Sequence, residues 1–253
     1  MTQMNRNDLH LHVLPGVDDG PADLGEALAL AADAVADGTS VAVATPHIRP
    51  GYVTDVSELP VRVAELQLAL ARERIPLELR VGGELAHGMV ERLSQDELET
   101  IAQGPRGARW ILLEAPFFGF GPAFHDAAGE LRERGFGVVI GHPERSARLG
   151  EDLASLRHEI LYGSALQVNV WTIAGRHGEE ARDAALRLVR EGLATVVASD
   201  AHADWRRPLL SRAIADLEHA GLDRMTVRAL VATGPRRLLE AGLRGRRALV
   251  PAA

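Results

Sequence analysis

The chain has 253 residues, enough for one large α/β barrel or two small domains, and it is 46% hydrophobic but only 4% aromatic, so its core must be built mainly from Ala, Leu and Val. A balance of 28 Lys plus Arg against 35 Asp plus Glu leaves a net charge of -7, which disfavours a long nucleic acid as partner. The absence of cysteine excludes disulfides, thiolate-zinc sites and every cysteine-nucleophile mechanism.

Residues 1–7 are polar, and no apolar run approaches the roughly 18 residues of a membrane span, so the expectation is a soluble, cytoplasmic protein without membrane insertion. The first ordered stretch alternates: His10 and His12 share one face, and Leu9, Leu11 and Val13 the other. A period of two is strand geometry, so both imidazoles point the same way and can grip one ion. The strand breaks at Pro15-Gly16, and the pair Asp18-Asp19 follows. Residues 23–37 carry the apolar stripe of a helix that stops at Gly38. The short apolar run 41–44 reads as a buried parallel strand and ends in Thr45-Pro46-His47. A second helix covers 57–74, with Pro60 in its first turn.

The unit then repeats. A strand over 77–81 ends in Gly82-Gly83-Glu84, and a helical stretch covers 89–103. Strands over 110–113 and 136–140 end at Glu114 and at Gly141-His142-Pro143-Glu144-Arg145, with a loop holding three phenylalanines between them, followed by a helix ending near Arg134. Helices over 151–162 and 179–191 flank a sixth strand over 166–170, which contains Asn169. The seventh strand, 194–198, ends in Ser199-Asp200-Ala201-His202. Helices over 208–220 and 226–241 complete the chain, and 243–253 reads as a loose tail. Seven strands alternating with helices through short connections predict a parallel sheet closed into a barrel, as one domain over 1–253.

In such a barrel the functional residues gather at the C-terminal strand ends. Those ends, with the loop after the first, carry His10, His12, Asp19, His47, Glu84, Glu114, His142, Asp200 and His202: five imidazoles and four carboxylates. Glu114 directly follows the apolar Ile111-Leu112-Leu113, and a carboxylate buried there calls for a cation or a donor. Nine such groups exceed the needs of one ion and suit two or three divalent metals of the manganese, iron or zinc kind. Centres of that kind activate water and clamp phosphoryl oxygens.

The stretches Asp8-Leu9-His10-Leu11-His12-Val13-Leu14-Pro15-Gly16-Val17-Asp18-Asp19-Gly20, Ala44-Thr45-Pro46-His47, Gly82-Gly83-Glu84, His142-Pro143-Glu144-Arg145, Gln167-Val168-Asn169 and Ala198-Ser199-Asp200-Ala201-His202 are similar to those of the PHP (polymerase and histidinol phosphatase) superfamily of metal-dependent phosphoesterases. Within it the chain resembles the bacterial tyrosine-protein phosphatases of capsular and exopolysaccharide gene clusters, over about residues 8–240. The resemblance implies a distorted (βα)7 TIM-like barrel with a trinuclear centre, manganese being favoured. By position it implies His10, His12, Glu114 and Asp200 around one ion, His47 and His142 on a second with Glu114 bridging, and Asp19, Glu84 and His202 on the third. Arg145 and Arg207 match the arginines that bind phosphate, with Arg206 adjacent to the second. The implied reaction is hydrolysis of phosphotyrosine by a metal-bridged hydroxide, on a protein such as the tail of a polysaccharide-assembly tyrosine kinase. A small-metabolite phosphatase of the histidinol-phosphate type, a phosphodiesterase of the same superfamily and a metal-binding module with a dead site are the alternatives. Trp171 either narrows the pocket as a wall for an aromatic ring or packs on the barrel rim.

Overall fold

The computed structural model describes residues 5–147, 149, 153–203 and 205–245. Its strands are all parallel. β1 (Arg6–Leu11), β2 (Thr39–Ala44) and β4 (Glu78–Val81) form one sheet, in the order β1-β2-β4. A second sheet runs β3 (His47–Ile48), β5 (Glu84–Leu85), β6 (Trp110–Glu114), β7 (Gly137–Gly141), β8 (Ala165–Asn169) and β9 (Val196–Ala198), each beside the next. β3 continues the line of β2, and β5 that of β4, after two-residue breaks at Thr45-Pro46 and Gly82-Gly83, so nine segments occupy seven strand positions. The ring closes where Asp200 N donates to His10 O at 2.9 Å and His12 N to Ala201 O at 3.0 Å, with a parallel bridge from Leu11 to Ala201. This is a distorted (βα)7 barrel.

The breaks have local causes. Pro46 has no N–H to give a ladder. Gly82 and Gly83 lie where a Cβ would run into Val43 Cγ1 and Ile48 Cδ1 respectively. Gly82→Ala should therefore destabilise the fold by about 1–3 kcal/mol, read from denaturant midpoints, because branched Val43 has no free end to swing aside.

Helices cover the outside. α1 (Leu24–Ala36) is capped by Asp23, and α2 (Leu59–Arg72) follows a short turn. The helix expected over 89–103 is a 3-10 segment, His87–Arg92, followed by α3 (Gln95–Ile101); Ser94 and Glu97 form a capping box that restarts the chain. Next come α4 (Pro122–Glu133) and α5 (Ala154–Leu161); the expected start of α5 at 151 and 152 lies outside the described residues. The sixth strand ends at Asn169 because its side chain caps Trp171 N at 2.7 Å and turns the chain into α6 (Val170–Ile173). α7 (Glu179–Arg190) and α8 (Leu210–His219) fall where expected. The last expected helix divides into α9 (Arg224–Arg228), a π turn Ala229–Thr233 and α10 (Gly234–Glu240), where Pro235 cannot continue the ladder. Among the described residues no helix is long and apolar enough to cross a membrane.

The outward strand residues, such as Leu11, Ile111, Leu113 and Ile140, pack under the helices. A smaller cluster of Leu9, Val43, Leu112, Val139 and Val196 fills the barrel, and Leu238 and Leu239 of α10 close its N-terminal end. Leu9 departs from the expected alternation: the β1–β2 register shifts between Asp8 and Leu11, and Leu9 turns inward with the histidines' side of the strand. Of the tail, Leu243 is docked, with its N–H on Ala108 O at 2.8 Å; residues 246–253 lie outside the described residues.

Candidate metal centre

The apolar interior cluster stops halfway up the barrel. Above it the inward positions are polar: His10 from β1 and His12 just after it, Glu84 from β5, Glu114 from β6, Gln167 and Asn169 from β8. His47 opens β3, while His142 and Asp200 follow β7 and β9. His10, His12, Glu84, Asn169 and His202 have no measurable exposure. His142 and Asp200 adopt positive φ, 33° and 48°, a left-handed strain in non-glycine residues that the surrounding packing must hold in place.

The donor atoms converge. His10 Nε2 lies 3.1 Å from His12 Nε2, 3.3 Å from Glu84 Oε2 and 3.4 Å from Asp200 Oδ1. His12 Nε2 is 3.4 Å from both of those carboxylate oxygens. Glu84 also meets His142 Nε2 at 2.7 Å and His47 Nδ1 at 2.8 Å. Asp19 Oδ1 lies 3.2 Å from His202 Nε2 and 3.4 Å from His47 Nε2. Glu114 joins His47 and Glu84.

The donor atoms of all nine candidate ligands therefore meet in one place. Four sets have donor atoms close enough to share an ion: His10, His12 and Asp200; His10, Glu84 and His142; His12, Asp19, His47 and His202; His47, Glu84 and Glu114. Glu84, not Glu114, stands at the middle. Glu84 also touches two members of the set that holds Asp19 and His202, with His12 Nε2 at 3.4 Å and His47 Nδ1 at 2.8 Å. The reason is positional. Glu84 directly follows the Gly82-Gly83 break and pairs in register with His47, so the two side chains enter the centre at the same level of the sheet.

The donor set fits divalent cations. Separations of 2.7–3.4 Å between imidazole nitrogens and carboxylate oxygens are those of atoms sharing an ion bound at about 2.0–2.2 Å. His142 Nδ1 is buried without a hydrogen-bond partner, and Glu84 Oε2 and His47 Nδ1, though 2.8 Å apart, make no aligned hydrogen bond, a costly arrangement that a cation would relieve. The charges tell the same story. Burial would depress His10, yet the charges of Glu84 and Asp200 push it up to about 9. Burial opposes ionisation of Glu84 and Asp200, and the His10 charge holds both well below the usual carboxylate range. Glu114, buried and facing Glu84, is pushed up.

Two residues beneath the donors aim them. Asp18 Oδ2 accepts from His12 Nδ1 at 2.6 Å and from His47 N at 3.0 Å; Gln167 Oε1 accepts from His10 Nδ1 at 2.9 Å and from His142 N at 3.2 Å. These bonds fix the tautomers that present Nε2 of His10 and His12 to the centre. Sequence reasoning gave neither residue this role. The adjacent carboxylates Asp18 and Asp19 were the available signal: one faces outward to the donors and the other lies under them. Asp18→Asn should weaken metal affinity by roughly 10–100-fold in a competition titration, with the fold retained.

Arg145 reaches the edge of the centre, with Nη1 3.2 Å from Asp200 Oδ2, and Asn169 Nδ2 holds the same oxygen at 2.7 Å. Arg207, expected to face phosphate, instead pairs with Asp33 of α1 on the outside. Arg206 takes the inward direction and lies 3.8 Å from Asp19 Oδ2. Trp171 packs on the rim: it is 7% exposed, its indole N–H donates to Arg207 O at 3.0 Å, and Trp205 meets it edge-on. A separate group on the outer helices, His125, His158 and Glu159, is served from within the protein, since Arg132 Nη1 holds Glu159 Oε2 at 2.7 Å.

Residues 6–240 match the family described as "Capsular polysaccharide synthesis, CpsB/CapC". Tyrosine-protein phosphatase YwqE of Bacillus subtilis (strain 168) is 33% identical over 198 residues, covering 77% of this chain and 76% of that protein. Tyrosine-protein phosphatase CpsB of Streptococcus pneumoniae is 27% identical over 218 residues, covering 81% and 87%. A chain from the crystal structures of YwqE from Bacillus subtilis and CpsB from Streptococcus pneumoniae, described as unique metal-dependent tyrosine phosphatases, superposes with a TM-score of 0.81 at 29% identity, over 95% of this chain and 98% of that one. The phosphotriesterase homology protein from Escherichia coli shares the fold, with a TM-score of 0.63 at 17% identity over 94% and 99% of the two chains.

Proposed function

The chain belongs to the CpsB/CapC capsular polysaccharide synthesis family, and from that premise we propose that it is a metal-dependent protein-tyrosine phosphatase, one phosphatase domain acting in the cytoplasm on a phosphotyrosine protein of a polysaccharide-assembly system, such as the tail of its tyrosine kinase. The observation that carries the reading is the nine-donor cluster at the C-terminal end of the barrel with Arg145 at its edge.

The sets around His10, His12 and Asp200, around Glu84, and around Asp19 and His202 would hold two to three ions, of manganese, iron or zinc, with manganese favoured. These residues would hold ions whose chemistry, when bound, would be neutralisation of phosphoryl oxygens and a lowering of the pKa of water toward neutrality. Arg145 supplies a planar fork for the remaining oxygens, and Arg206 a second cation on the Asp19 side. Asn169 holds Asp200 so that this carboxylate keeps its orientation when Arg145 turns to the substrate. Asp18 and Gln167 keep the imidazoles in one tautomer throughout. The leaving phenolate has a pKa of about 10, so its departure needs little help from a proton donor.

The test is to count bound metals and to assay phosphotyrosine peptide, p-nitrophenyl phosphate and histidinol phosphate side by side, with and without chelator. Two to three ions per chain and chelator-sensitive preference for the phosphotyrosine peptide are expected. No hydrolysis after manganese, iron or zinc is restored would overturn the reading, and a preference for histidinol phosphate would move it to the metabolite phosphatases.

A further inference from the structure

Two aromatic rings stand at the outer edge of the donor cluster. Tyr52, in the loop after β3, lies over His47 with ring centroids 5.5 Å apart and planes at 21°. Phe117, in the loop after β6, lies over His142 at 6.1 Å and 11°. Each is backed by an arginine that also reaches a carboxylate of the centre. Arg49 sits 5.0 Å from the Tyr52 centroid and 3.6 Å from Glu114 Oε1; Arg145 sits 5.0 Å from the Phe117 centroid and 3.2 Å from Asp200 Oδ2. His47 and His142 both touch Glu84, so the two stacks rise from one point. Tyr52 is 37% exposed and Phe117 40%, which leaves part of each ring free for a ligand. The Phe117 loop is held down by Ala147 N donating to Phe117 O at 2.8 Å and Ser146 Oγ to Pro116 O at 2.6 Å, so the ring is placed before any ligand arrives.

We propose that Tyr52 and Phe117 form an aryl-recognition surface that selects phosphate groups borne on an aromatic ring over those borne on an alkyl chain. This rests on the phosphatase reading for the position of the phosphate, and it adds how the ester group is chosen. A phosphate in reach of the donors and of Arg145 has its ester oxygen pointing outward. The next atoms of a phosphotyrosine are the ring itself, at the level of Tyr52 and Phe117. A phosphoserine puts a single methylene there and meets neither face. Offset or edge-on contact with each ring adds to the affinity of an aryl ligand only. The arginines also hold the rings, since a guanidinium over an aromatic face restrains both partners.

The experiment uses metal-loaded protein and two ligands that cannot be hydrolysed, phenylphosphonate and methylphosphonate, titrated by calorimetry. The wild-type protein should favour phenylphosphonate. Tyr52→Leu and Phe117→Leu should each lower that affinity by roughly two- to tenfold, the range for one aromatic pair, and leave methylphosphonate within about twofold. Tyr52→Phe should keep the wild-type preference, because the ring and not the hydroxyl is used. Equal losses for both ligands would reduce the rings to supports for His47 and His142 and overturn the proposal, as would a wild-type protein with no aryl preference. Hydrolysis of phosphotyrosine peptide by the same samples separates the two readings. Aryl preference without hydrolysis would sink the phosphatase and keep the surface; hydrolysis without aryl preference would do the reverse.

Discussion

Replacing Glu84 with Ala is expected to abolish hydrolysis, with a fall in kcat on the order of 10³-fold or more, because the charge neutralisation of the phosphoryl oxygens is lost together with the ions. Glu84 is within 3.4 Å of donor atoms of His10, His12, His47 and His142; it belongs to two of the four donor sets and touches members of the other two. Elemental analysis of the purified variant should show fewer ions per chain than the wild-type protein. Glu114→Ala is the comparison. Glu114 enters a single donor set, with His47 and Glu84, and its loss should cost fewer ions and less activity. Equal metal loss in the two variants would count against Glu84 as the central carboxylate. Glu84→Gln tests charge at constant volume. It leaves His10, whose raised pKa depends on Glu84 and Asp200, with one counter-charge fewer in a fully buried place. The metal-free variant should therefore melt earlier than the metal-free wild type.

Arg145→Ala is the second large effect. It should lower kcat/KM by roughly 10²–10³-fold, the scale for one preorganised donor on a developing oxyanion, while the metal count stays at the wild-type value. Arg145 donates to Asp200 through one nitrogen and rests against Phe117, so its guanidinium is ordered at the edge of the donors. Arg145→Lys should recover only part of the loss, since a point charge cannot replace a planar fork. Arg207→Ala supplies the contrast. Its partner Asp33 lies on α1 and its own side chain is half exposed, so hydrolysis should be unchanged and stability altered by at most about 1 kcal/mol. If Arg207→Ala proved as damaging as Arg145→Ala, the outward position of Arg207 would be wrong for the working enzyme.

The difference between Arg206 and Arg207 illustrates what sequence could and could not give. The barrel was legible because each buried strand is a short apolar run ended by Pro, Gly or a polar group, as at Val41 to Ala44 and Ile111 to Leu113. The donors were legible because polar residues of ligand type recur at those ends. The direction of a side chain in a loop is set by its partner, and nothing in Trp205-Arg206-Arg207 says that Asp33 of α1 will take the second arginine. The central place of Glu84 was hidden for a related reason. It depends on the break at Gly82-Gly83 and the pairing of Glu84 with His47, contacts between strands 37 residues apart in register. Asp18 and Gln167 were missed as orienting groups because supporting a ring from below demands no motif, only proximity. Leu9 was misplaced by a register shift that alternation alone cannot foresee. Tyr52 and Phe117 lie in loops, where no periodicity announces which ring will face the centre.

The closure of the barrel has a kinetic consequence. The bonds from Asp200 N to His10 O and from His12 N to Ala201 O join the first strand to the last, so His10, His12 and Asp200 come together only when nearly the whole chain has been threaded into the ring. Contacts of such long range carry the largest loop-closure cost and form late. An ion that needs all three ligands is then absent from the rate-limiting step of folding. Added metal should leave the refolding rate near its metal-free value and slow unfolding instead, as expected for an interaction made after the transition state. The protein would first complete its barrel as apoprotein and then be locked by loading, with a lifetime set by the availability of the ion.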